Sequence, residues 1–315
     1  MIRPLVSVIM PVYNADAFVG ASLESILSQT YTNLQVVVVN DGSTDNTQAV
    51  LDRFSDRRLQ VVHQANSGVS AALNKALSLA KGSLIARQDA DDISAPDRIA
   101  KQVAHFQANT ATVILGTWGL FFSPDDGPDA FLERPTSDAA IRFALLFDSP
   151  FVSTSVMIRA EVLERVGGFD ESRTVWDDYD MWSRLVLAGK AANLPERLVQ
   201  YRVVGTGLTQ TSSNAHAWVM EQRRRILGQL MPDLPRDLLA IACRIGVDHP
   251  KISVKQLRSL QGHYERFIDR TTGDAGERTA LRSQLLDKLR SCRIISHHSL
   301  AHRLLDKLAR SLLLR

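Results

Sequence analysis

Apolar and polar residues follow two patterns along the first part of the chain: short apolar runs, and apolar residues at helical spacing. Four short apolar runs, rich in β-branched residues, have the length of buried strands and span residues 5–10, 36–39, 59–62 and 83–86. Between them, apolar residues recur at helical spacing over residues 23–27, 49–54 and 69–80. This order predicts an α/β protein whose doubly wound, mostly parallel sheet is flanked by helices, with right-handed crossovers.

Carboxylates gather where the fourth predicted strand ends. Asp89, Asp91 and Asp92 follow it directly, and like charges this close repel one another unless something binds them. Ligands of open α/β sheets bind at the carboxyl ends of strands, and the hard oxygen ligands of carboxylates suit Mg²⁺ or Mn²⁺. The alternative interpretation is a solvated acidic turn before the next helix.

The loop after the second predicted strand combines a glycine with small polar residues. Gly42 allows a tight turn, and Ser43 or Thr44 is predicted to cap the following helix. Asp41 stands at the strand end, where one interpretation is an Asx-turn with its own backbone near Gly42.

Seven short segments form a pattern in the order in which they occur. They are Pro11-Val12-Tyr13-Asn14, residues 38–45, Asn66-Ser67-Gly68, Asp89-Ala90-Asp91-Asp92, residues 166–170, residues 177–182 and Tyr201-Arg202-Val203. Together they resemble the inverting family 2 glycosyltransferases of GT-A fold, over roughly residues 4–210. The resemblance implies transfer of one sugar, with inversion, from a UDP-linked nucleotide diphosphate sugar to a saccharide or lipid-linked saccharide acceptor. It also implies a place in bacterial cell-surface polysaccharide or glycolipid synthesis.

The resemblance implies where the donor binds. The implied donor contacts are Pro11, Tyr13, Asp41, Asn66, Gly68, Asp89, Ala90 and Arg202. Pro11 and Tyr13 would flank the base, and Asp41 would accept hydrogen bonds from the base or the ribose, because a carboxylate only accepts. For Tyr13 the alternative is packing in the core.

The family's metal motif corresponds to Asp89-Ala90-Asp91. The resemblance gives Asp91 the direct contact with Mg²⁺ or Mn²⁺, and Asp89 a contact with the ribose or, through water, with the metal. The cation would neutralise the diphosphate while the sugar–phosphate bond breaks.

The later segments imply the acceptor site. Asp177-Asp178 stands where relatives commonly carry Glu-Asp, so the resemblance makes Asp178 the general base, with Asp177 on the acceptor side. Trp182 is a further acceptor candidate, because its ring could stack on a sugar face. An inverting transfer needs one base to remove the proton of the attacking hydroxyl. The alternatives are an acidic first turn favoured by the helix macrodipole, and a tryptophan in the core. Ser153-Thr154 replaces the His-Pro pair of many relatives, which implies a different acceptor.

Two departures from the family pattern keep other functions open. Leu73-Asn74-Lys75 lacks the arginine that relatives often carry beside the asparagine, and Val204 stands where a histidine is common. A non-catalytic nucleotide- or sugar-binding module on the same fold is therefore one alternative. A nucleotidyltransferase is another, since it also uses paired carboxylates with Mg²⁺. However, residues 11–15 lack the basic glycine-rich phosphate loop expected of one.

Composition and charge divide the chain. At 315 residues, with 45% hydrophobic and 23% charged residues, it has the size of one large α/β domain with an extension. We predict a catalytic domain over residues 1–214, with a nucleotide-sugar half over about 1–110 and an acceptor half over about 111–214. A basic helical extension over 215–315 follows, with 19 Lys and Arg against 10 Asp and Glu, a net charge of +9.

The end of the extension, residues 299–315, has the pattern of a basic amphipathic helix. Such a helix can lie on an anionic membrane, or it can dock on the catalytic domain or on a second subunit to form a homo-oligomer. No nucleic acid partner is predicted.

Compartment follows from what the sequence lacks. No apolar run approaches the ~20 residues of a membrane span, and the first strand begins too early to leave room for a signal peptide. Cys243 and Cys292 lack metal-site spacing and are predicted to be free buried thiols in a reducing compartment. We therefore expect a cytoplasmic enzyme, at most peripheral at the inner face of the membrane.

Overall fold

The computed structural model describes residues 3–122, 130–173, 176–202, 215–248, 250–290 and 292–294. The strands are β1 Val6–Val12, β2 Leu34–Asp41, β3 Leu59–Gln64, β4 Leu84–Arg87, β5 Ile93–Ser94, β6 Thr112–Phe122, β7 Ala130–Leu132, β8 Met157–Arg159, β9 Lys190–Arg202, β10 Lys251–Ile252 and β11 Arg293–Ile294. The helices are α1 Val19–Leu27, α2 Thr47–Leu51, α3 Val69–Leu79, α4 Arg98–Ala108, α5 Asp138–Leu145, α6 Ala160–Val166, α7 Asp177–Ala188, α8 Ala215–Leu230, α9 Arg236–Ala242, α10 Val254–Thr271 and α11 Ala275–Leu289, with a 3₁₀ helix at Ser153–Ser155.

The chain divides into two compact units. The first comprises Met1–Ser137 and Ser149–Ser213, and the second comprises Asp138–Asp148 and Asn214–Arg315. The functional domains at 1–214 and 215–315, and the two halves of the first, stay a prediction.

The first unit is built on one sheet, in which the described strands follow the order β3-β2-β1-β4-β8-β6-β9-β5, with β7 beside β6. β1 pairs in parallel with β2 and β4, β2 with β3, and β6 with β9. β8, β5 and β7 are the antiparallel strands. The predicted α/β fold with a mostly parallel sheet flanked by helices is confirmed.

Burial on both faces explains why the first strands are apolar at every position. Val8 and Val36 belong to the core cluster that α1 and α4 close with residues such as Leu23 and Phe106. Successive strand residues point to opposite faces, so the equally buried Val37 faces the other side. There α3 packs along β1 and β2. Helices on both faces are the usual setting of a parallel sheet.

The predicted cap of the helix after β2 is wrong. α2 begins at Thr47 after Asn46, and no cap hydrogen bond comes from the Asn46 side chain. Ser43 Oγ instead accepts from the backbone N–H of Asn14 at 3.0 Å. The hydroxyl joins two loops rather than a loop to its own helix, which a local sequence signal cannot specify.

The second unit encloses a core of its own. α10 begins behind a capping box, in which Ser253 and Gln256 bond each other's backbone N–H. Tyr264 on this helix stacks on Phe147, with 5.6 Å between the ring centroids. Cys243 and Cys292 are free and buried, as predicted.

The membrane predictions are tested only in part. Among the described residues, no helix is both long enough and apolar enough to cross a bilayer. Residues 299–315 and Val204 lie outside the described residues. The contact of the tail with a membrane or a second subunit therefore stays a prediction.

Candidate active site

The segments that follow β1, β2 and β4 meet at one edge of the sheet, because these strands are adjacent and parallel. Pro11 lies in register with Val39 near the end of β1. Tyr13 follows with 51% of its surface exposed, which excludes the core packing considered as its alternative. The predicted donor residues of the first two loops are thus neighbours at the carboxyl edge, where open sheets bind ligands.

Hydrogen bonds join the loops after β1 and β2. Asn14 donates its backbone N–H to Ser43 and accepts at Oδ1 from the N–H of Thr44 at 2.8 Å. Ala15 N–H donates to the Thr47 hydroxyl at 2.8 Å. Asn14 has a positive φ of 47°, a conformation that asparagine tolerates better than most residues. The two loops form one surface.

Asp41 is 3% exposed and holds a third loop. Its Oδ1 accepts from Gln64 Nε2 at 2.7 Å and from Ser67 N–H at 2.9 Å, and its Oδ2 accepts from Gly68 N–H at 2.8 Å. The carboxylate thus binds the predicted Asn66–Gly68 segment rather than its own backbone in an Asx-turn. A carboxylate has about four acceptor positions, so one stays open for a ligand donor.

Gly42 makes this arrangement possible. Its φ is +71°, and a Cβ at this position would lie 2.6 Å from the backbone nitrogen of Asn66. Only glycine permits both that backbone conformation and so close an approach. Asn66 and Gly68 are exposed at the tip of the loop.

The segment after β4 is short of partners for its carboxylates. Burial, and then the charge of Asp89, raise the pKa of Asp91 to about 6. Asp92 is 1% exposed, and burial and both neighbouring carboxylates raise its pKa well above the ordinary range. Asp92 Oδ1 accepts from the backbone N–H of Arg202 at 2.8 Å. A solvated acidic turn does not fit a segment in which Ala90 and Asp92 are buried.

Arg87, which sequence reasoning missed, bridges the two halves of the site. Its Nε donates to Asp89 Oδ1 at 2.8 Å, and its Nη1 lies 3.5 Å from Asp177 Oδ2. Burial lowers the pKa of this guanidinium, but the charges of Asp89, Asp177 and Asp178 raise it more, so the net shift is upward. The available signal was an arginine at the end of an apolar strand, since arginine is almost never fully buried without a partner.

The carboxylates in the first turn of α7 have separate partners. Asp177 is 8% exposed and faces Arg87. Burial raises its pKa to about 6, against the lowering effect of Arg87. Asp178 Oδ2 accepts from the hydroxyl of Ser153, and its Oδ1 accepts from Tyr179 N–H at 2.7 Å. Asp180 instead pairs with Arg184 at 2.8 Å.

Trp182 is fully buried rather than open to a sugar. Its ring makes edge contacts with Phe151 and Phe169, with centroids 6.4 and 6.2 Å away. Its Nε1 lies 3.4 Å from Ser153 Oγ, the same hydroxyl that donates to Asp178. Trp182 therefore contacts the predicted acceptor side only indirectly, through the hydroxyl of Ser153.

Arg202 is held beside the predicted metal motif. Its Nε donates to the carbonyl of Asp91 at 3.0 Å. Its guanidinium carbon lies 4.7 Å from the ring centroid of Phe18 and 5.0 Å from that of Phe122, distances typical of cation–π contacts. Its neighbour Tyr201 was missed as a site residue. Burial and the surrounding carboxylates raise the pKa of its phenol, which keeps it neutral.

The residues present fit a divalent cation that a ligand helps to hold. Among the described residues, no group of three or more His, Cys, Asp or Glu side chains is placed to hold a metal ion by itself. Mg²⁺ commonly binds one or two carboxylates together with substrate phosphates. Asp91, with its raised pKa beside Asp89, has the charge that such a cation would neutralise.

Residues 7–167 match the family described as "Glycosyl transferase family 2". An uncharacterized glycosyltransferase of Haemophilus influenzae is 36% identical over 223 residues, which cover 67% of this chain and 68% of that protein. The chain is a glycosyltransferase and belongs to glycosyl transferase family 2.

Two solved structures share its fold. The crystal structure of S. aureus TarS 1–349 in complex with UDP-GlcNAc has a TM-score of 0.61 at 19% identity and covers 92% of this chain and 82% of that one. The mannosyltransferase PcManGT from Pyrobaculum calidifontis, in complex with GDP-Man and Mn²⁺, has a TM-score of 0.54 at 21% identity. It covers 99% of this chain and 88% of that one. The predicted GT-A fold is confirmed.

Proposed function

We propose that this chain is an inverting, Mg²⁺- or Mn²⁺-dependent glycosyltransferase that moves one sugar from a UDP-linked donor to the hydroxyl of a saccharide or lipid-linked saccharide. The observation that carries the proposal is the guanidinium shared by Asp89 and Asp177. It joins the motif after β4 to the first turn of α7, so one cluster holds candidates for both donor and acceptor chemistry. By family resemblance, the product belongs to a cell-surface polysaccharide or glycolipid made at the cytoplasmic side of the membrane.

In the proposed complex the nucleotide lies on the loops after β1 and β2. Pro11 and the exposed Tyr13 would flank the base, and the open acceptor position of Asp41 would receive a donor group of the base or the ribose. Asn66 and Gly68 would contact the nucleotide from the loop that Asp41 holds. The UDP-GlcNAc and GDP-Man complexes of the two solved relatives support a nucleotide sugar as the donor class.

Asp91 and Asp89 would hold the cation, with Ala90 against the donor and Arg202 beside the diphosphate. When bound, such a cation stabilises the negative charge that develops on a leaving diphosphate. The Mn²⁺ in the PcManGT complex supports this cofactor class. The charge of Arg202, next to the carbonyl of Asp91, would add to that stabilisation.

Asp178 would act as the general base. Its carboxylate takes the proton of the acceptor hydroxyl while the hydroxyl oxygen forms a bond to the anomeric carbon. The carbon–oxygen bond to the diphosphate breaks, and the nucleoside diphosphate leaves with the electron pair. Attack from the face opposite the leaving group inverts the anomeric centre. Asp178 suits this role better than Asp177, because Arg87 partly neutralises Asp177.

A donor panel tests the proposal. UDP- and GDP-sugars would be screened for an increase in melting temperature and for release of nucleoside diphosphate, with Mn²⁺ or with EDTA. A ligand at 100 times its Kd stabilises a protein by about 2.7 kcal/mol. We expect a UDP-sugar to stabilise and to turn over only with the metal. Binding without turnover across saccharide acceptors would favour the non-catalytic module, and metal-independent turnover would contradict the metal assignment.

The base is tested by a matched pair of variants. Asp178→Asn should lower turnover by about 10² to 10⁴, the usual contribution of general base catalysis, and leave donor affinity near the parental value. Asp177→Asn should lower turnover far less. Turnover at the parental rate in a folded Asp178→Asn enzyme would move the base elsewhere.

A further inference from the structure

The 3₁₀ helix Ser153–Ser155 lies between the two carboxylate groups of the site, and each of its hydroxyls has a defined partner. Thr154 Oγ1 accepts from the backbone N–H of Asp89 at 3.0 Å. Ser155 Oγ donates to the carbonyl of Val152 at 2.7 Å and accepts from Thr117 N–H at 3.0 Å. The first hydroxyl, that of Ser153, donates to Asp178.

The direction of the proton on Ser153 is fixed by its two neighbours. The indole N–H of Trp182, 3.4 Å away, can only donate, and an ionised carboxylate can only accept. The single hydroxyl proton must therefore lie on the side of Asp178. The Trp182 ring is fully buried in the core, in contact with Phe151 and Phe169. The packed core therefore fixes the position of the indole N–H that orients the Ser153 hydroxyl.

Asp178 is thereby held at both carboxylate oxygens. Oδ1 accepts from Tyr179 N–H at 2.7 Å, and Oδ2 accepts from Ser153. Hydrogen bonds to an ionised group are shorter and stronger than neutral ones. Two such bonds restrict the rotation of the carboxylate and leave its other acceptor positions for a ligand hydroxyl.

We propose that Ser153 is a positioning residue for Asp178: its hydroxyl holds the base in the orientation that receives the acceptor proton. The inference rests on the proposed function. Through Thr154, the same turn is bonded to the amide of Asp89, so it also sets the distance between the base and the metal motif. A misplacement of about 1 Å can cost about 10²-fold in rate, which makes such a spacer effective.

A double-mutant cycle tests the proposal on the full-length chain. Donor turnover would be measured as nucleoside diphosphate release, with the UDP-sugar that the donor panel identifies, for the parent, Ser153→Ala, Asp178→Asn and the double variant. If Ser153 acts through Asp178, Ser153→Ala lowers kcat by about 10- to 100-fold in the parent and causes no further loss in Asp178→Asn. The KM for the donor stays within about twofold, since donor contacts lie elsewhere.

Control variants separate positioning from structural loss. Ser153→Thr keeps the hydroxyl and should return kcat to within about threefold of the parent. Ser183→Ala removes a buried hydroxyl on α7, one that donates to the carbonyl of Asp180. It should affect melting temperature more than kcat. A Ser153→Thr enzyme with parental stability but the low kcat of Ser153→Ala would count against the proposal.

The outcomes also separate this inference from the proposed function. Losses that multiply in the double variant, or parental kcat in Ser153→Ala, overturn the role of Ser153 while Asp178 stays the base. Parental kcat in Asp178→Asn overturns the base assignment itself, and the inference with it.

Discussion

Two carboxylate sites lie at the same edge of the sheet and differ in how the protein balances their charge. Asp41, at the end of β2, receives hydrogen bonds from Gln64, Ser67 and Gly68. The segment after β4 holds several carboxylates close together, and although Arg87 pairs with Asp89, the pKa of Asp91 rises to about 6. In the first site, hydrogen bonds from the protein fill most acceptor positions of one carboxylate, whereas in the second site the carboxylates raise one another's pKa.

The difference indicates what each site does. A buried carboxylate that accepts several hydrogen bonds from one loop stabilises that loop. A carboxylate crowded by like charges destabilises the unliganded fold, and such positions cluster at functional sites. We therefore interpret the main role of Asp41 as holding the loop at residues 66–68 in place. We interpret the role of Asp91 as binding a ligand. Four variants test this contrast.

The largest effect is expected at Asp91. Asp91→Asn should lower turnover on the order of 10³-fold, several kcal/mol of transition-state stabilisation, because it removes charge from the proposed cation ligand. The fold should remain intact, and the effect of Mn²⁺ on donor binding should disappear. Turnover and Mn²⁺-dependent donor affinity measured together check this. A variant that still requires the metal and turns over normally would contradict it.

Arg87 comes next. Arg87→Gln should lower the free energy of unfolding by about 3–5 kcal/mol, the usual result of removing one partner from a buried ion pair. Asp177→Asn should restore part of that loss in the double variant, since it removes one of the carboxylates left without a partner. Denaturant unfolding of both single variants and the double variant measures the coupling. Strictly additive losses would show that Arg87 and Asp177 do not interact.

Asp41 should show a structural effect where Asp91 does not. Asp41→Asn places an amide N–H₂ against a backbone or side-chain donor, so about 1–3 kcal/mol of stability should be lost. Nucleotide affinity should fall as well, because the loop at residues 66–68 loses its support. Unfolding measured beside Asp91→Asn gives the comparison directly. An equally stable Asp41→Asn protein would remove the distinction between the two sites.

The smallest effect is a pH dependence from Asp177. Its pKa of about 6 in the folded state lies above the ordinary value of about 3.9. The folded state therefore binds the proton more tightly, and the stability from this group, complete below about pH 4, is lost as pH rises through 6. The part of the loss that comes from Asp177 should be about 2 kcal/mol between pH 4 and 7, and Asp177→Asn should lack this part while keeping the contributions of Asp91 and Asp92. Unfolding curves from pH 4 to 7 without metal test this, and parallel profiles would exclude Asp177 as the source.

Local sequence signals predicted the part of the fold that local contacts build. β1 to β4 and α3 follow from apolar runs and helical spacing, which are signals within short windows of the sequence, although β4 pairs with β1 rather than with the preceding β3. β8 could not be predicted in this way. It has only three residues and lies between β4 and β6, whose sequence positions are far from its own. Periodicity within a short window carries no information on such a pairing.

The same distinction between local signals and long-range contacts applies to the site. The carboxylates at the strand end and at the start of α7 were visible as motifs, and the carboxyl edge of the sheet predicted a ligand site at the first of them. The groups that connect them, Arg87 and Ser153, were not assigned, because their partners on α7, Asp177 and Asp178, lie far away in the sequence. Trp182 was named from its chemistry, but its burial depends on Phe151 and Phe169. Long-range packing decides which members of a motif touch one another.

The hydrogen bonds between the loops after β1 and β2 bear on how donor preference could be altered by design. Asn14 bonds both Ser43 and Thr44, and the hydroxyl of Thr47 receives the N–H of Ala15. Grafting only one loop from a relative would leave these partners mismatched. The two segments should be exchanged as a single cassette, roughly residues 11–16 with 41–47. A chimera with both segments would keep the hydrogen bonds between the two loops, whereas a chimera with one segment would lose them unless new partners were supplied.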